Sequence, residues 1–506
     1  MIIVGKLHKE KEKTTKLIFY KTKGEKGVFK TMKKKTTVIM LMSMAVVLLG
    51  LGGFLGVYLY QENATSNPKV PTLNEAGLQT FADMTEVEQF QNIPLYVAEG
   101  VKMTEPNDRG DNVYMVTVNG TNREQYESYL QTLKDTGFAF FADNGEDGLD
   151  QSIYTSSFTG EGVTVTVTYY AKEETVYITS SAKMELSPRL IDKEEYRDGI
   201  IEGMKNTLYM YELYNYGNSF VIQLKNGHFL VNDGGRKDDI KYLIDRMEAL
   251  APSGEKPIVE AWFISHAHSD HQEALAALTE ETSLLERLYI EGVYMNMPSD
   301  EAFNAVNQLS SKTAMMKIQT LPNYAKAADG SSTKIYRPQS GQQYYFCDVV
   351  VDIMHTQEQL VTQDYANLDL NDSSTWLMYN MDGQKFLLSG DADKGGMRMV
   401  MKNFSQEYMK LDVYTSFHHN INNWLPFLEY CEIKTTLFTT NSVETQNKKV
   451  GEINTAGANV WLTENSVDYY SWEDGGKVLT FPYKAGTAKS LPMQEWIYHK
   501  TRPQIQ

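Results

Sequence analysis

Three imidazoles and one carboxylate crowd into six consecutive positions, His266-Ala267-His268-Ser269-Asp270-His271. Imidazole nitrogen and carboxylate oxygen are ordinary protein ligands of zinc, manganese and iron. With nine His in 506 residues, random placement does not give such a cluster. Two later places supply groups of the same kind. Ser389-Gly390-Asp391 sets a carboxylate beside a Gly that lets backbone approach closely, a good position from which to bridge two cations. His418-His419-Asn420 supplies a histidine pair. Paired cations can lower the pKa of a shared water towards neutrality and clamp the oxygen of a scissile group. Asp270, within the run, could orient that water and take its proton. No Ser or Cys nucleophile is then required. Ser265 has no separate base, and Ser253-Gly254-Glu255-Lys256 lacks the leading glycine of a phosphate loop. His228, His499 and His8 have no supporting cluster and read as structural or solvated.

These groups need a scaffold that brings distant segments together. From about Tyr196 the pattern alternates strands with helices. Ser219–Leu224 and His228–Asn232 flank Asn226-Gly227, a hairpin dipeptide favoured where both central residues need positive φ. Asp233-Gly234-Gly235 closes the second strand and the helical run IKYLIDRMEAL follows. The apolar strand Ile258–Ile264 then leads directly into the histidine run. Lys385–Leu388 is a strand ending in Ser389-Gly390-Asp391, and Leu411–Phe417 is a strand ending in the histidine pair. Sites in open α/β sheets gather at such carboxyl ends.

Upstream, residues 76–190 form a separate β-α-β-β-β pattern: NVYMVTV, a helix with Tyr126, Tyr129, Leu130 and Leu133 on one face, then SIYTSSF, VTVTVTYYA and TVYITSSA. This stretch contains no histidine and no cluster of catalytic residue types, so it reads as a small α+β spacer or binding module. The two cysteines, Cys347 and Cys431, make at most one bridge.

The amino terminus has a different character. Residues 1–35 carry twelve Lys against three Glu, which leaves the rest of the chain at −26 against −17 for the whole. An acidic body disfavours non-specific nucleic-acid binding. Thr36–Tyr60 has no charged residue and, at about 1.5 Å per residue, is long enough for a hydrocarbon core of about 30 Å. Lys33, Lys34 and Lys35 precede it and the polar linker 61–75 follows. The run is longer than a signal-peptide core, and YLYQENA lacks the small residues of a cleavage site. The reading is an uncleaved single-pass anchor in the cell membrane, with the amino terminus cytoplasmic and the remainder extracellular.

Taken in order, His266-Ala267-His268-Ser269-Asp270-His271, Ser389-Gly390-Asp391 and His418-His419 resemble the metallo-β-lactamase superfamily over residues 196–498. Asn218-Ser219 through Asp233-Gly234-Gly235 resembles its opening hairpin. Asn371-Asp372-Ser373-Ser374 before the strand is most similar to the β-lactamase-like domain of competence proteins, with a similar pattern in phosphorylcholine esterases. The resemblance implies a four-layer αβ/βα sandwich holding two divalent ions, zinc first, with manganese or iron as alternatives. It implies His266 and His268 on one ion, Asp270 and His271 on the other, Asp391 bridging, and His418 completing the second set. Where the superfamily usually has a further His, this chain has Asn371 or Asp372, with His355 upstream as another candidate. The competence-type His-His-Gly-Ser is His418-His419-Asn420-Ile421 here, and the later Gly-His-Pro is missing.

The expectation is a membrane-anchored extracellular hydrolase using a metal-bound hydroxide on a small-molecule or cell-envelope phosphoester, with Asp270 catalytic. The alternative is a surface binding module whose metal site has degenerated. Protease added to intact cells is expected to digest everything beyond Tyr60 and to leave residues 1–35 protected. Recovery of the whole chain in the soluble cytoplasm would contradict the anchor.

Overall fold

The computed structural model describes residues 79–493, apart from 183, 215–216, 362–367, 441–448, 451–452 and 474. The basic tail, Thr36–Tyr60 and the linker 61–75 lie outside the described residues, as do His8 and His499. Among the described residues no helix is long and apolar enough to cross a membrane.

Two large sheets carry the carboxyl-terminal part. In the first, Lys334–Tyr336, Gly292–Met295, Ile258–Ile264 and Phe229–Asp233 run parallel to one another, and Ser219–Gln223 and Thr207–Met210 continue antiparallel. In the second, Gln384–Leu388, Lys410–Thr415, Glu432–Leu437 and Asp468–Tyr470 are parallel, with Trp376–Met381 and Val349–His355 antiparallel beside them. Strand alternation sorts the side chains into layers. Leu377, Tyr379, Phe386 and Leu388 share a core with Phe220, Val231 and Phe263 of the first sheet. Phe220 meets Phe386 at 5.8 Å between ring centres. Their sequence neighbours Trp376, Met378 and Leu387 face the other way, onto Met397 and Val400 of the helix Lys394–Asn403 and Phe427 of Leu425–Tyr430. Ile240, Leu243, Ile244 and Met247 of the helix Ile240–Leu250 join the first sheet's core. The layers therefore run helix, sheet, sheet, helix. Parallel strands buried on both faces read as continuous apolar runs, as IVEAWFI does.

The small module has its own seven-stranded sheet and its own core, in which Tyr126, Tyr129 and Leu133 of the helix Arg123–Asp135 lie against Val116, Phe158, Val165 and Ile178. Sequence patterning missed the strand Ala139–Asp143, which pairs with Ile153–Gly160. Its AFFAD run lacks the alternation of a half-buried strand. The module is joined closely to the sandwich. Leu149, Ile153 and Tyr170 belong to the same core as Trp376 and Met354. Glu173 accepts from Gln359 Nε2 at 3.1 Å and from Asn403 Nδ2 at 2.8 Å. Arg337 Nη2 donates to the Arg109 carbonyl at 2.7 Å.

The Asn226-Gly227 turn differs from expectation. Only Gly227 takes positive φ, 85°. Asn226 instead uses its side chain, accepting from His228 N at 3.1 Å and donating to Glu260 at 2.8 Å. His228 Nδ1 also meets Glu260, at 2.7 Å.

Candidate metal centre

The site grows from three neighbouring strand ends. Ile258–Ile264 delivers Ser265 and then the histidine run. His268 takes extended backbone (φ −75°, ψ 153°) as the cap before the helix Ser269–Ala277, which places Asp270 and His271 in the first turn. Gln384–Leu388 delivers Asp391, and Lys410–Thr415 delivers His418 and His419.

The six groups meet. His266, His268 and Asp391 offer ligand atoms within 4.8 Å of one another, and so do Asp270, His271 and His419. His266 Nε2 stands 3.0 Å from His268 Nδ1 and 3.9 Å from Asp391 Oδ2. Asp391 lies between the two sets, with Oδ1 at 3.1 Å from His271 Nε2 and Oδ2 at 3.5 Å from His419 Nε2. His419 Nε2 is also 3.4 Å from Asp270 Oδ2.

The ring orientations follow from the hydrogen bonds behind them. Asp233 Oδ2 accepts from His271 Nδ1 at 2.8 Å and from Ser265 Oγ at 2.9 Å. With its own proton given to Asp233, Ser265 Oγ accepts from His266 Nδ1 at 3.1 Å. His419 Nδ1 faces Thr439 Oγ1 at 3.3 Å. With these partners at Nδ1, the Nε2 atoms of the three rings stand on the side of the Asp391 carboxylate. Outer hydrogen bonds of this kind fix tautomer and orientation in metal-ligating histidines.

The expected assignment changes at one position. His419 occupies the place expected for His418: it is buried and joins Asp270 and His271. His418 is about a quarter exposed, with Nε2 at 3.4 Å from Asp391 Oδ2, so it borders the site from its open side. The cause is the backbone. His418, His419 and Asn420 take φ of 45°, 47° and 72°, a left-handed turn that breaks strand alternation and sends the second histidine inward. Of the candidates for a missing histidine, His355 packs edge-on against Trp376, 6.4 Å between ring centres. Asp372 lies against Asp393 and the start of the helix Lys394–Asn403. Neither joins the converging groups. Sequence reasoning passed over Asp233, reading it only as a turn, although its carboxylate holds both Ser265 and His271. Its place at the end of a buried strand, followed by two glycines, was the available clue.

Burial and mutual charge set the protonation of the metal-free cluster. Burial above all holds His266 and His268 below the ordinary imidazole range. Burial acts against charge on His271 and His419 too, but Asp391 with Asp233 or Asp270 outweighs it: His271 is raised well above the ordinary range, and His419 to about 9. Asp270 and Asp391 are depressed despite burial, Asp270 chiefly by its hydrogen bond to His419 and Asp391 by the charge of His271.

Three solved structures superpose on parts of the chain. A metallo-β-lactamase with a HARLDQ motif from Cronobacter sakazakii covers 41% of this chain and 73% of its own, with 13% identity and a TM-score of 0.24. Zinc-bound PqqB from Methylobacterium extorquens covers 41% and 71%, with 9% identity and a TM-score of 0.25. A metal-dependent hydrolase of the β-lactamase superfamily covers 52% and 95%, with 9% identity and a TM-score of 0.30. No family model and no curated protein matches the sequence. At such scores the fold is read from the strand order and layers above.

The donors fit divalent ions. Four imidazoles and two carboxylates, both held below the ordinary carboxylate range, converge from three strand ends in one largely buried place. The cluster has a signed pH dependence without metal. Above the unfolded imidazole value of about 6.5, folded His271 and His419 bind protons that the unfolded chain has lost. Their contribution to stability is full below that value and disappears as pH rises through about 9 for His419. His266 and His268, neutral when folded, act oppositely below about 6.5. The melting temperature of chelator-treated protein is therefore expected to peak near pH 6.5 and to fall towards pH 9. Metal affinity should rise over that same interval, because bound imidazoles must shed protons. A chelated protein steadily more stable from pH 6.5 to 9 would contradict the assignment.

Proposed function

We propose that the chain is a metal-dependent hydrolase of metallo-β-lactamase type, with a phosphoester as its substrate class. The observation that carries this reading is the pair of three-donor sets, His266–His268–Asp391 and Asp270–His271–His419, with Asp391 between them. The layered fold and the order of the three strand ends support the same family. Divalent ions bound there, zinc being the first choice for this nitrogen-rich set, would supply Lewis acidity and a water of lowered pKa. The remaining work falls to the chain itself. His266 and His268 hold one side, and His271 and His419 the other, each oriented by its outer partner. Asp270, ionised and beside His419, orients the attacking water and receives its proton. Asp391 keeps the two sets at a fixed separation.

A phosphoester is favoured over other scissile groups because its charged oxygens suit a paired cationic centre. Long nucleic acid is disfavoured by the charge of −26 beyond residue 35. Thr36–Tyr60 would anchor the enzyme, with the sandwich outside the cell acting on a small-molecule or envelope substrate.

Purified ectodomain should be screened against bis-p-nitrophenyl phosphate, p-nitrophenyl phosphorylcholine, single-stranded DNA and a β-lactam. Metal-dependent turnover of a phosphodiester is expected. Asp270→Asn should then reduce turnover about 10²-fold or more with only a modest change in melting temperature. Wild-type turnover in Asp270→Asn would remove this carboxylate from the mechanism, and a protein that retains no metal would favour the degenerate binding module.

A further inference from the structure

Between the two sheets, beside the centre, lies a cavity of about 10 Å³ whose lining residues are all buried. Phe263, Leu377 and Leu388 give it apolar walls. Ser265 and Gly390, each one residue before a candidate ligand, border it as well. Asn218, Asn232 and Thr375 complete its polar lining, exposed by only 6%, 3% and 2%.

Each of these last three brings a polar atom that has no hydrogen-bond partner: Asn218 Oδ1, Asn232 Nδ2 and Thr375 Oγ1. The rest of each residue is engaged, which fixes the end that is left over. Asn218 Nδ2 donates to Asp233 Oδ2 at 3.3 Å, Asn232 Oδ1 accepts from Tyr379 OH, and Thr375 N donates to the Ser265 carbonyl at 2.8 Å. A buried donor or acceptor left unmet costs its full desolvation, and native proteins meet such groups with protein partners or ordered water.

The chemistry of the three atoms selects the occupant. Asn232 Nδ2 is a donor, Asn218 Oδ1 an acceptor, and the Thr375 hydroxyl serves as either. The amide N–H opposes a bare cation, and the amide oxygen opposes an anion. The occupant must therefore donate and accept at once, in a space that holds no second molecule. Water meets both conditions: one water needs on the order of 10–15 Å³, and buried waters make about three hydrogen bonds.

We propose that this cavity binds a single water molecule, which accepts from Asn232 Nδ2, donates to Asn218 Oδ1 and pairs with Thr375 Oγ1. The water ties Asn218 and Asn232, on the first sheet's side, to Thr375 at the start of the second sheet's strand Trp376–Met381. It holds the Asn218 amide in the orientation that turns Nδ2 to Asp233, and so backs the carboxylate that orients His271. Neither a metal ion nor a substrate is needed for this site.

The test is a crystal structure of the full chain at a resolution that shows ordered water, with a second crystal soaked in thallium(I) to reveal a monovalent-cation site by anomalous scattering. One peak is expected in the cavity, about 2.7–3.2 Å from Asn218 Oδ1, Asn232 Nδ2 and Thr375 Oγ1, with no thallium signal. Thr375→Val keeps the shape of the side chain and removes its hydroxyl, so the peak should lose most of its density there. Thr375→Ser, which keeps the hydroxyl, should retain the peak. An empty cavity in the wild-type map would overturn the proposal, and so would a thallium peak, which makes the occupant a cation. Undiminished density in Thr375→Val would overturn the three-partner site. Should Thr375→Val fail to fold, the wild-type and Thr375→Ser maps still decide whether water is bound.

Discussion

The carboxylate of Asp233 is the constraint on which the site depends. It stands at the end of one buried strand and holds the residues that leave the next. It accepts from Ser265 N at 2.8 Å, from Ser265 Oγ at 2.9 Å and from His271 Nδ1 at 2.8 Å, while its own carbonyl accepts from Trp262 Nε1 at 2.8 Å. A hydrogen bond to a charged group contributes about 1.5–3 kcal/mol, and here four converge on one carboxylate shielded from water, the fourth from Asn218 Nδ2 at 3.3 Å. Asp233 adopts φ of 56°, a left-handed conformation that costs on the order of 1 kcal/mol or more for a residue with a side chain. The bonds to Ser265 and His271 offset that cost and fix the start of the loop. From Ser265 the order passes to His266, and from His271 to Asp391.

A second concentration of strain lies opposite. Three consecutive residues, His418 to Asn420, are left-handed. The turn is held from several sides: Asn420 Nδ2 donates to Thr440 Oγ1 at 2.8 Å, and Asn423 bonds Ser416 Oγ at 2.6 Å and Asn459 Oδ1 at 2.7 Å. Tyr414 OH donates to Asn423 Oδ1 at 2.9 Å. Asparagine tolerates and braces such turns better than most residues, which gives the Asn-rich run Asn420 to Asn423 a physical role. The two strained corners, one on each sheet, face each other across Asp391.

Much of this was legible in the residues. The apolar strand before His266, the density of the histidine run and the Gly-flanked Asp391 all pointed to strand ends meeting at one edge. Periodicity likewise gave the helices Arg123–Asp135 and Ile240–Leu250. What escaped depends on backbone geometry that residue types do not record. Strand alternation gives no means of choosing between His418 and His419 once three residues turn left-handed. Asp233 looked like an ordinary turn residue because its partners come from a neighbouring strand. The small module looked like a spacer because it lacks catalytic residue types, yet Leu149, Ile153 and Tyr170 complete a core with Trp376, a contact between distant segments that local patterning does not reveal.

We propose that the two three-donor sets around Asp391 each hold an ion. Anomalous diffraction from crystals grown with manganese or zinc measures this most directly. Two peaks are expected within the cluster, one between His266, His268 and Asp391 and the other between Asp270, His271 and His419. Saturating metal that gives no peak there, or a peak ligated by His418 with His419 turned away, would contradict it.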